Sequence, residues 1–274
     1  MIASLNGILA NNRFLGRTNP TMAAAVADGG SVLDREYIQR CARQIVDMGH
    51  WDNLKFWGDT GLAKLRNSGG VDYIPKGYDL SGNSYDYTQT TEANQPVLTM
   101  PAFVLDGTDA FAQGSTITIT DFTILAWIKT SNSVAVMRIL SHQDTFAGQP
   151  NGVYYLRINA GKVQSAVRQT GGSASSIITT TTVSDDAWHL VAVTRNDATM
   201  AINIDGDEDI SEGSKVTGEI NSGKLALGAL YYDESPSEYF IGSFADIRLY
   251  DTALTETEIA AIYNLTNSIR IYIP

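Results

Sequence analysis

From Ala102 onward, short apolar stretches recur at intervals of about ten residues, separated by clusters of turn-forming residues. Those clusters are Asp106-Gly107, Asn132-Ser133, Ala160-Gly161, Gly171-Gly172, Asp185-Asp186, Asp205-Gly206 and Asn221-Ser222-Gly223. This spacing is typical of antiparallel sandwiches and jelly rolls. We therefore predict a mainly β fold, an antiparallel two-sheet jelly-roll sandwich, with a small helix-containing N-terminal portion.

The best helical pattern in the chain runs from Ser31 to Met48, where apolar residues recur at helical spacing and Asp34 is placed to cap the helix. Three aromatic residues follow closely, Trp51, Phe56 and Trp57. We interpret them as packing between this helix and a neighbouring element. A surface on which a sugar stacks is the alternative.

The segment Tyr239–Asn264 predicts a strand, a turn and a short helix in succession. Thr255 is a suitable N-cap, and Glu258 three residues later completes a capping box. Beyond this helix, Asn267–Pro274 alternates isoleucine with other residues, and the alternation predicts a further strand.

The formal net charge of −11 is unevenly distributed. Residues 1–100 hold 9 basic and 10 acidic side chains, and residues 101–274 hold 10 basic and 20 acidic side chains. Such a chain lacks the basic footprint that nucleic-acid binding needs, so we expect no nucleic-acid partner. No apolar run approaches the ~18 residues of a membrane span, so we expect no span.

Residues 1–32 are rich in small and polar residues and lack the basic start and apolar core of a classical signal peptide. They predict an N-terminal arm, either loosely ordered or ordered only against a partner. The single cysteine, Cys41, permits no internal disulfide and lies at an apolar helix position, so we interpret it as a small core residue.

The segment Tyr239–Asn264 resembles the closing signature of laminin-G-like domains of the concanavalin A-like lectin/glucanase superfamily. The matching residues are Gly242, Phe244, Asp246, Ile247, Arg248, Leu249, Tyr250, Asp251, Ala253, Leu254, Thr255, Glu258 and Ile259. Four further blocks resemble the family in the right order: Leu105–Asp109, Phe122–Lys129, Trp188–Val193 and Ile202–Gly206. The resemblance covers residues 78–264 and implies a lectin-like jelly roll. Trp127 and Trp188 lie inside strand patterns, and we interpret them as core anchors, with a ligand role as the alternative.

The preceding segment resembles phage and prophage structural proteins that carry laminin-G-like domains. The matching residues are Lys64, Leu65, Ser68, Gly69, Tyr78, Asp79, Leu80, Ser81, Gly82, Asn83, Asp86, Thr88, Gln89, Gln95, Pro96 and Leu98. This resemblance implies a location on the virion surface, with other virion proteins bound through the N-terminal portion and with homo-oligomer formation. We divide the chain into an arm (1–32), a helical and irregular N-terminal portion (33–95) and the jelly roll (96–274).

Catalysis finds little support in the sequence. The glucanases of this superfamily carry catalytic carboxylates at close spacing on one strand, as in E-x-D-x-x-E. The nearest sequence here, Glu208–Glu212, has the wrong spacing and follows a turn. The three histidines show no spacing for a metal or a catalytic triad, and there is no phosphate loop or nucleophile elbow. We expect no enzyme activity.

Metal binding is an open question. The acidic run Asp205–Asp209 lacks the glycine and the final glutamate of an EF-hand, so it predicts a solvated hairpin. The family resemblance implies one calcium site, for which the candidates are Asp106, Asp109 and Asp246. A calcium ion there and no metal at all both remain possible from sequence.

Two tyrosine-rich segments are the candidates for carbohydrate binding, because aromatic rings stack on pyranoses while polar side chains orient the hydroxyls. One is Tyr154, Tyr155 and Arg157 on a predicted strand, and the other is Tyr231, Tyr232, Asp233 and Tyr239 around a polar loop. Adjacent tyrosines on a strand point to opposite faces. The alternative is that these rings pack the sandwich with their hydroxyls at its rim.

Three functions are consistent with these patterns. The first is a non-enzymatic virion surface protein, a head fibre, decoration protein or tail fibre component, that attaches to glycans or a host surface. The second is a purely structural virion protein that uses the jelly roll for packing. The third is a glycan-active enzyme whose site the sequence does not reveal.

Overall fold

The computed structural model describes residues 18, 20–112, 117–143, 153–169, 172–220, 224–232 and 235–270. Its helices are α1 (residues 20–27), α2 (Arg35–Asp47) and α3 (Glu256–Arg270), with a 3-10 turn at Glu92–Asn94. The first nine strands are β1 (Ser31–Val32), β2 (Leu54–Ser68), β3 (Val71–Asp79), β4 (Tyr87–Thr88), β5 (Val97–Thr99), β6 (Ala102–Asp106), β7 (Phe111–Ala112), β8 (Phe122–Lys129) and β9 (Val136–Gln143). The others are β10 (Val153–Asn159), β11 (Lys162–Arg168), β12 (Ala174–Thr182), β13 (Trp188–Asn196), β14 (Thr199–Ile204), β15 (Asp207–Glu212), β16 (Lys224–Leu227), β17 (Leu230–Tyr232), β18 (Ser235–Ser237) and β19 (Ile241–Tyr250).

The strands form two antiparallel layers, as predicted. The first layer has the order β15–β14–β13–β8–β19, and β19 then pairs with β2 along one half and with β6 along the other. The second layer has the order β12–β11–β10–β9–β16–β7. The hairpins β2–β3 and β5–β6 connect the layers, because β2 and β6 pair with the first layer while β3 extends the second through β4.

The sandwich core lies between the layers and is built from inward positions of both. It is rich in β-branched and aromatic residues, among them Phe103, Phe111, Phe122 and Phe244. These side chains alternate with outward ones along each strand, as the period of two requires. The two-sheet prediction from the spacing of turn-forming residues is confirmed.

A second apolar cluster lies on the outer side of the first layer, under the helices. Trp57 and Trp127 point outward from this layer into the cluster, where Ile38 and Ile45 of α2 and Ile262 of α3 cover them. Burial of such side chains contributes roughly 1.5–3 kcal/mol each. The helices therefore cover the first layer and the adjoining strand β3, and in the described part of the chain no helix covers the outer face of β9 to β12.

The two predicted helix caps are present. The Asp34 side chain accepts a hydrogen bond from the backbone N–H of Tyr37 at 2.9 Å, and α2 begins at the next residue, Arg35. At α3, Thr255 N–H donates to the Glu258 carboxylate at 2.8 Å while Glu258 N–H donates to Thr255 Oγ1 at 3.3 Å. These reciprocal bonds satisfy donors that a helix end leaves without partners.

Two local predictions need correction. The helix α3 continues to Arg270, so residues 267–270 are helical where a strand was predicted; residues 271–274 lie outside the described part. Thr266 explains the difference, because its hydroxyl donates to Ile262 O at 2.7 Å and accepts from Trp127 Nε1 at 2.9 Å, which anchors the last turns. The second correction concerns the N-terminal arm, which was predicted to be loosely ordered or ordered only against a partner. Residues 20–27 of this arm form a helix packed on the chain itself, with Met22 and Ala25 buried.

The boundary predicted near residue 95 stays a prediction, although the sheet itself runs across it. Strand β2 lies in the predicted N-terminal portion and pairs with β19 of the jelly roll. In the part of the chain described, no helix is long and apolar enough to cross a membrane.

Candidate binding site

The strand β10 presents its side chains alternately to the core and to the outer face of the second layer. Leu156 and Ile158 are fully buried in the core, whereas Tyr155, Arg157 and Asn159 are half-buried on the outer face. The sequence VYYLRIN forms this pattern because apolar and polar residues alternate with the strand period. The outer positions of β10 therefore form the centre of a polar surface.

Two arginines stack on the ring of Tyr155. The guanidinium carbon of Arg138 lies 3.8 Å from the ring centroid, and that of Arg157 lies 4.9 Å from it. Arg138 comes from the neighbouring strand β9, where it is paired directly with Arg157. A guanidinium group is attracted to the negative face of an aromatic ring. Tyr155 thus holds both arginines at the surface of the sheet.

Glu238 connects this cluster to the segment after β18. Arg138 Nε donates to Glu238 Oε2 at 2.5 Å, and Arg157 Nη1 lies 3.7 Å from the same oxygen. The backbone reinforces the connection, since Arg138 N–H donates to Glu238 O at 2.8 Å. A second link lies three residues further along β9, where Ser141 Oγ donates to Ala229 O at 2.8 Å. The β17–β18 hairpin is therefore fixed against the outer face of β9.

The environment of Arg138 is unusual for a charged side chain. The residue is only 5% exposed. Burial lowers the pKa of its guanidinium group from the ordinary value, and the neighbouring Glu238 carboxylate opposes that shift. A desolvated charge of this kind is costly unless partners compensate it. Glu238 supplies one such partner.

Amide side chains complete the polar surface on the side of β11. Gln164 Oε1 accepts hydrogen bonds from Arg157 Nε and from Asn159 Nδ2, each at 2.9 Å. These contacts fix the Arg157 side chain in place. The arrangement of a ring, two guanidinium groups, a carboxylate and two amides can donate and accept hydrogen bonds in several directions, as sugar hydroxyls require.

The two tyrosine-rich segments predicted from sequence are brought together in part. Arg157 of the first contacts Glu238, which immediately precedes Tyr239 of the second. Tyr239 is half-buried, and burial raises the pKa of its hydroxyl. Asp233 and the side chains of Tyr231 and Tyr232 lie outside the described residues.

Tyr154 lies in the core instead of at the predicted binding surface. It is fully buried, and its ring stacks on that of His142 with centroids 4.7 Å apart and planes 5° apart. Burial also lowers the pKa of His142 to about 3. Since successive strand residues face opposite sides, only the second ring of the doublet reaches the outer face.

The predicted metal ligands Asp106 and Asp109 share one turn. Asp109 Oδ2 accepts from Asp106 N–H at 3.3 Å, while Asp106 Oδ1 accepts from the backbone and the hydroxyl of Thr108. Burial, and then the Asp106 charge, raise the pKa of Asp109 to about 6. Carboxylate oxygens are ligands that calcium prefers, so these two neighbouring carboxylates could contribute to a calcium site.

Asp246 lies elsewhere and has its own partners. Asp106 pairs with Ile241 on β19, and Asp246 lies five residues further on, about 16 Å along the strand. Its buried carboxylate accepts from Trp57 Nε1 at 2.8 Å and from Arg248 Nε at 2.8 Å. Within the described ranges, no group of three His, Cys, Asp or Glu side chains could hold a metal ion.

The sequence analysis did not identify Arg138 and Glu238. Each is marked locally, since Arg138 interrupts the apolar run of β9 in the sequence and Glu238 adopts a positive φ of 48° in the structure, two residues before buried Phe240. Neither signal indicates the other residue, because 100 positions separate them. Only the fold pairs them.

Comparison of folds gives a consistent result. The chain superposes on a botulinum neurotoxin serotype D binding domain with a TM-score of 0.55 and 15% identity, over 80% of this chain and 52% of that chain. For the binding domain of Paraclostridial mosquitocidal protein 1 the TM-score is 0.53 and the identity is 16%. That superposition covers 79% of this chain and 53% of the other. For the botulinum neurotoxin serotype D ligand binding domain in complex with N-acetylneuraminic acid, the TM-score is 0.54 and the identity is 16%. That superposition covers 79% of this chain and 52% of the other.

At these identities the likeness is one of fold alone, and the chain spans about half the length of these binding domains. No curated protein matches the chain in sequence. The laminin-G family model of the concanavalin A-like lectin/glucanases superfamily matches residues 105–260. Because this range is more than half of the chain, the chain belongs to the laminin-G-like family of the concanavalin A-like lectin/glucanases superfamily.

Proposed function

We propose that this chain is a non-catalytic attachment protein that binds surface glycans through the outer face of its second layer. The observation that carries the proposal is the cluster in which Tyr155 stacks against Arg138 and Arg157 while Glu238 binds both arginines. The helices leave this face uncovered in the described part of the chain. A lectin-like fold with an ordered polar face and an aromatic ring is suited to weak binding of sugars.

The chemistry of the face supports binding more than catalysis. Its one described carboxylate, that of Glu238, is already paired with Arg138. Hydrolysis of a glycosidic bond ordinarily uses two carboxyl groups on either side of it. The solved structures that share the fold are named as binding domains. We therefore favour attachment to glycans over their hydrolysis as the function of this chain.

The proposed setting is the surface of a phage virion, as a head fibre, decoration protein or tail fibre component. The support is the resemblance of Lys64–Leu98 to phage structural proteins. Helix α2 and strand β2 belong to the first layer and its outer cluster, whereas β10 belongs to the second layer, so an attachment to other virion proteins through α2 leaves the candidate face open. Copurification of the chain with capsid or tail proteins tests this setting, and its absence from purified particles would exclude it.

Tyr155→Ala is the direct test of the glycan face. The variant removes the ring that orders both arginines, and we expect at least a tenfold loss of affinity for glycans or host-surface polysaccharide, roughly the 1.4 kcal/mol of one stacked contact. The matched control is Tyr73→Ala, because Tyr73 also stacks against an arginine, Arg66, at 4.7 Å, but on β3. Unchanged binding by folded Tyr155→Ala would remove this face from consideration.

A further inference from the structure

The outer face of the second layer is basic although the chain is acidic. Strands β9 to β12 contain no aspartate or glutamate, in a chain that has 30 of them. Their outward positions carry four cationic residues, Arg138, Arg157, Lys162 and Arg168. This local reversal of charge sign against a net charge of −11 gives the face a positive potential that attracts anionic ligands.

The two central arginines have fewer negative partners than they need. Arg138 and Arg157 are paired directly across β9 and β10, where like charges destabilise a sheet. Both approach one oxygen, Oε2 of Glu238. One carboxylate therefore offsets two guanidinium charges, and the pair keeps a net positive charge at the centre of the face.

Arg138 also has an unused donor. Its Nη1 group is buried and has no hydrogen-bond partner among the described residues, and the side chain as a whole is 6% exposed. An unsatisfied buried donor on a charged group is costly, and the charge that Glu238 leaves uncompensated adds to the attraction of an anion to the surface above it. Arg157 lies beside it and is more accessible, at 17% exposure.

We propose that the ligand of this face is a sugar that carries a carboxylate, bound by Arg157 beside Glu238 and attracted by the buried charge of Arg138. This inference rests on the proposed glycan-binding function. A planar carboxylate matches the fork of a guanidinium group and can accept two parallel hydrogen bonds from it. Gln164 and Asn159 next to Arg157 then provide amide groups for the hydroxyls of the same sugar. The ring of Tyr155 keeps the two guanidinium groups in position.

The test compares lactose with two acidic derivatives, one that carries a sialic acid residue with its carboxylate and one that carries a sulfate. Binding of 3′-sialyllactose, lactose and sulfated lactose to the full chain is measured by calorimetry, alongside an array of neutral and acidic glycans. We expect sialyllactose to bind at least about tenfold more tightly than lactose, since one bidentate ion pair contributes on the order of that factor. Sulfated lactose, which lacks the planar acceptor, should bind more weakly than sialyllactose.

Arg157→Gln should abolish most of this preference, because it removes the charge and retains a polar side chain of similar length. The matched control is Arg40→Gln on α2, the same substitution at an exposed arginine that pairs with Glu36. Thermal unfolding of both variants verifies that they fold. A preference retained in folded Arg157→Gln would overturn the assignment of the carboxylate to these arginines.

The outcomes separate the inference from the function on which it rests. If neutral glycans bind as tightly as acidic ones, the carboxylate inference fails and glycan attachment stands. Equal binding of sulfated and sialylated lactose overturns the carboxylate specificity in the same way. If no glycan of either class binds, the proposed function and the inference fail together.

Discussion

Arg248 donates two hydrogen bonds to the carboxylate of Asp246, two residues earlier on the same strand, and both side chains are fully buried. Asp246 has a φ of +47° at an irregularity of β19 between Ala245 and Arg248. This local departure from the strand lets both side chains lie on the helix-covered side of the first layer. Tyr37 of α2 donates to Oδ2, the same oxygen that accepts from Arg248 Nη2, at 2.5 Å. The ion pair thus connects the closing strand to the N-terminal helix.

Asp246→Asn should therefore destabilise the protein strongly. The substitution leaves the buried guanidinium group of Arg248 without its counter-charge, a change that costs about 3–5 kcal/mol of unfolding free energy. Urea unfolding followed by fluorescence measures it. Asp207→Asn, at an exposed position of β15, is the matched control and should unfold near the parent midpoint. A loss for Asp246→Asn no larger than that of the control would contradict this account.

Tyr154→Phe should leave stability unchanged or raise it. The Tyr154 hydroxyl is buried and has no hydrogen-bond partner in the described part of the chain, so removing it removes an unsatisfied polar group. Tyr37→Phe makes the same chemical change where the hydroxyl donates to Asp246, and it should cost about 1–3 kcal/mol. The two midpoints in urea are compared directly. Glycan binding should also survive Tyr154→Phe, since that ring faces the core.

The parts of the fold that were predictable from sequence are those with local causes. The capping box of Thr255 and Glu258 and the cap at Asp34 each join residues three positions apart. Such contacts form whenever the helix forms, so they can be predicted from the sequence alone. The two-layer β architecture followed from the spacing of turn-forming residues, because each strand alternates between core and solvent.

The parts that were not predictable depend on distant partners. Arg138 meets Glu238 across 100 positions, and Trp127 meets Thr266 across 139. The contact between Trp127 and Thr266 determines a local structure, because it anchors the end of α3. The alternating sequence that follows Thr266 would by itself have predicted a strand. Likewise, the period of two shows that Tyr154 and Tyr155 point opposite ways but not which of them faces the core. That depends on the second sheet.

His189 should make stability depend on pH. Its two ring nitrogens lie 2.8 Å from Asp205 Oδ2 and 3.1 Å from Asp185 Oδ1. The hydrogen bond with Asp205, and then that with Asp185, raise the pKa of His189 against the opposing effect of burial. The protonated form is therefore favoured by folding. Its stabilising contribution is complete below the unfolded pKa of about 6.5 and is lost as pH rises through the higher folded pKa.

The measurement is the difference in unfolding free energy between the parent and His189→Gln from pH 5 to pH 9. Taking the difference cancels the contribution of buried His142, whose lowered pKa acts in the opposite direction. We expect the difference to be largest at the acidic end and to shrink above pH 6.5. A difference that stays constant over the range would show that the two carboxylates do not favour the imidazolium form.

Asp109 should make stability depend on pH in the same direction as His189, although a paired carboxyl group ordinarily acts in the opposite direction, and it also tests calcium binding. Burial and the nearby Asp106 charge raise its pKa to about 6, so folding favours the protonated form. The parent should gain stability relative to Asp109→Asn as pH falls from 7 through 6, because the amide does not titrate and the difference cancels the contribution of His189, which both proteins retain. Millimolar calcium at pH 7 offers another way to neutralise the two carboxylates, and we expect it to raise the melting temperature of the parent but not that of Asp109→Asn. Magnesium at the same concentration is the control for ionic strength. If calcium changes neither melting temperature while the pH dependence is present, the raised pKa stands and calcium does not bind at this turn.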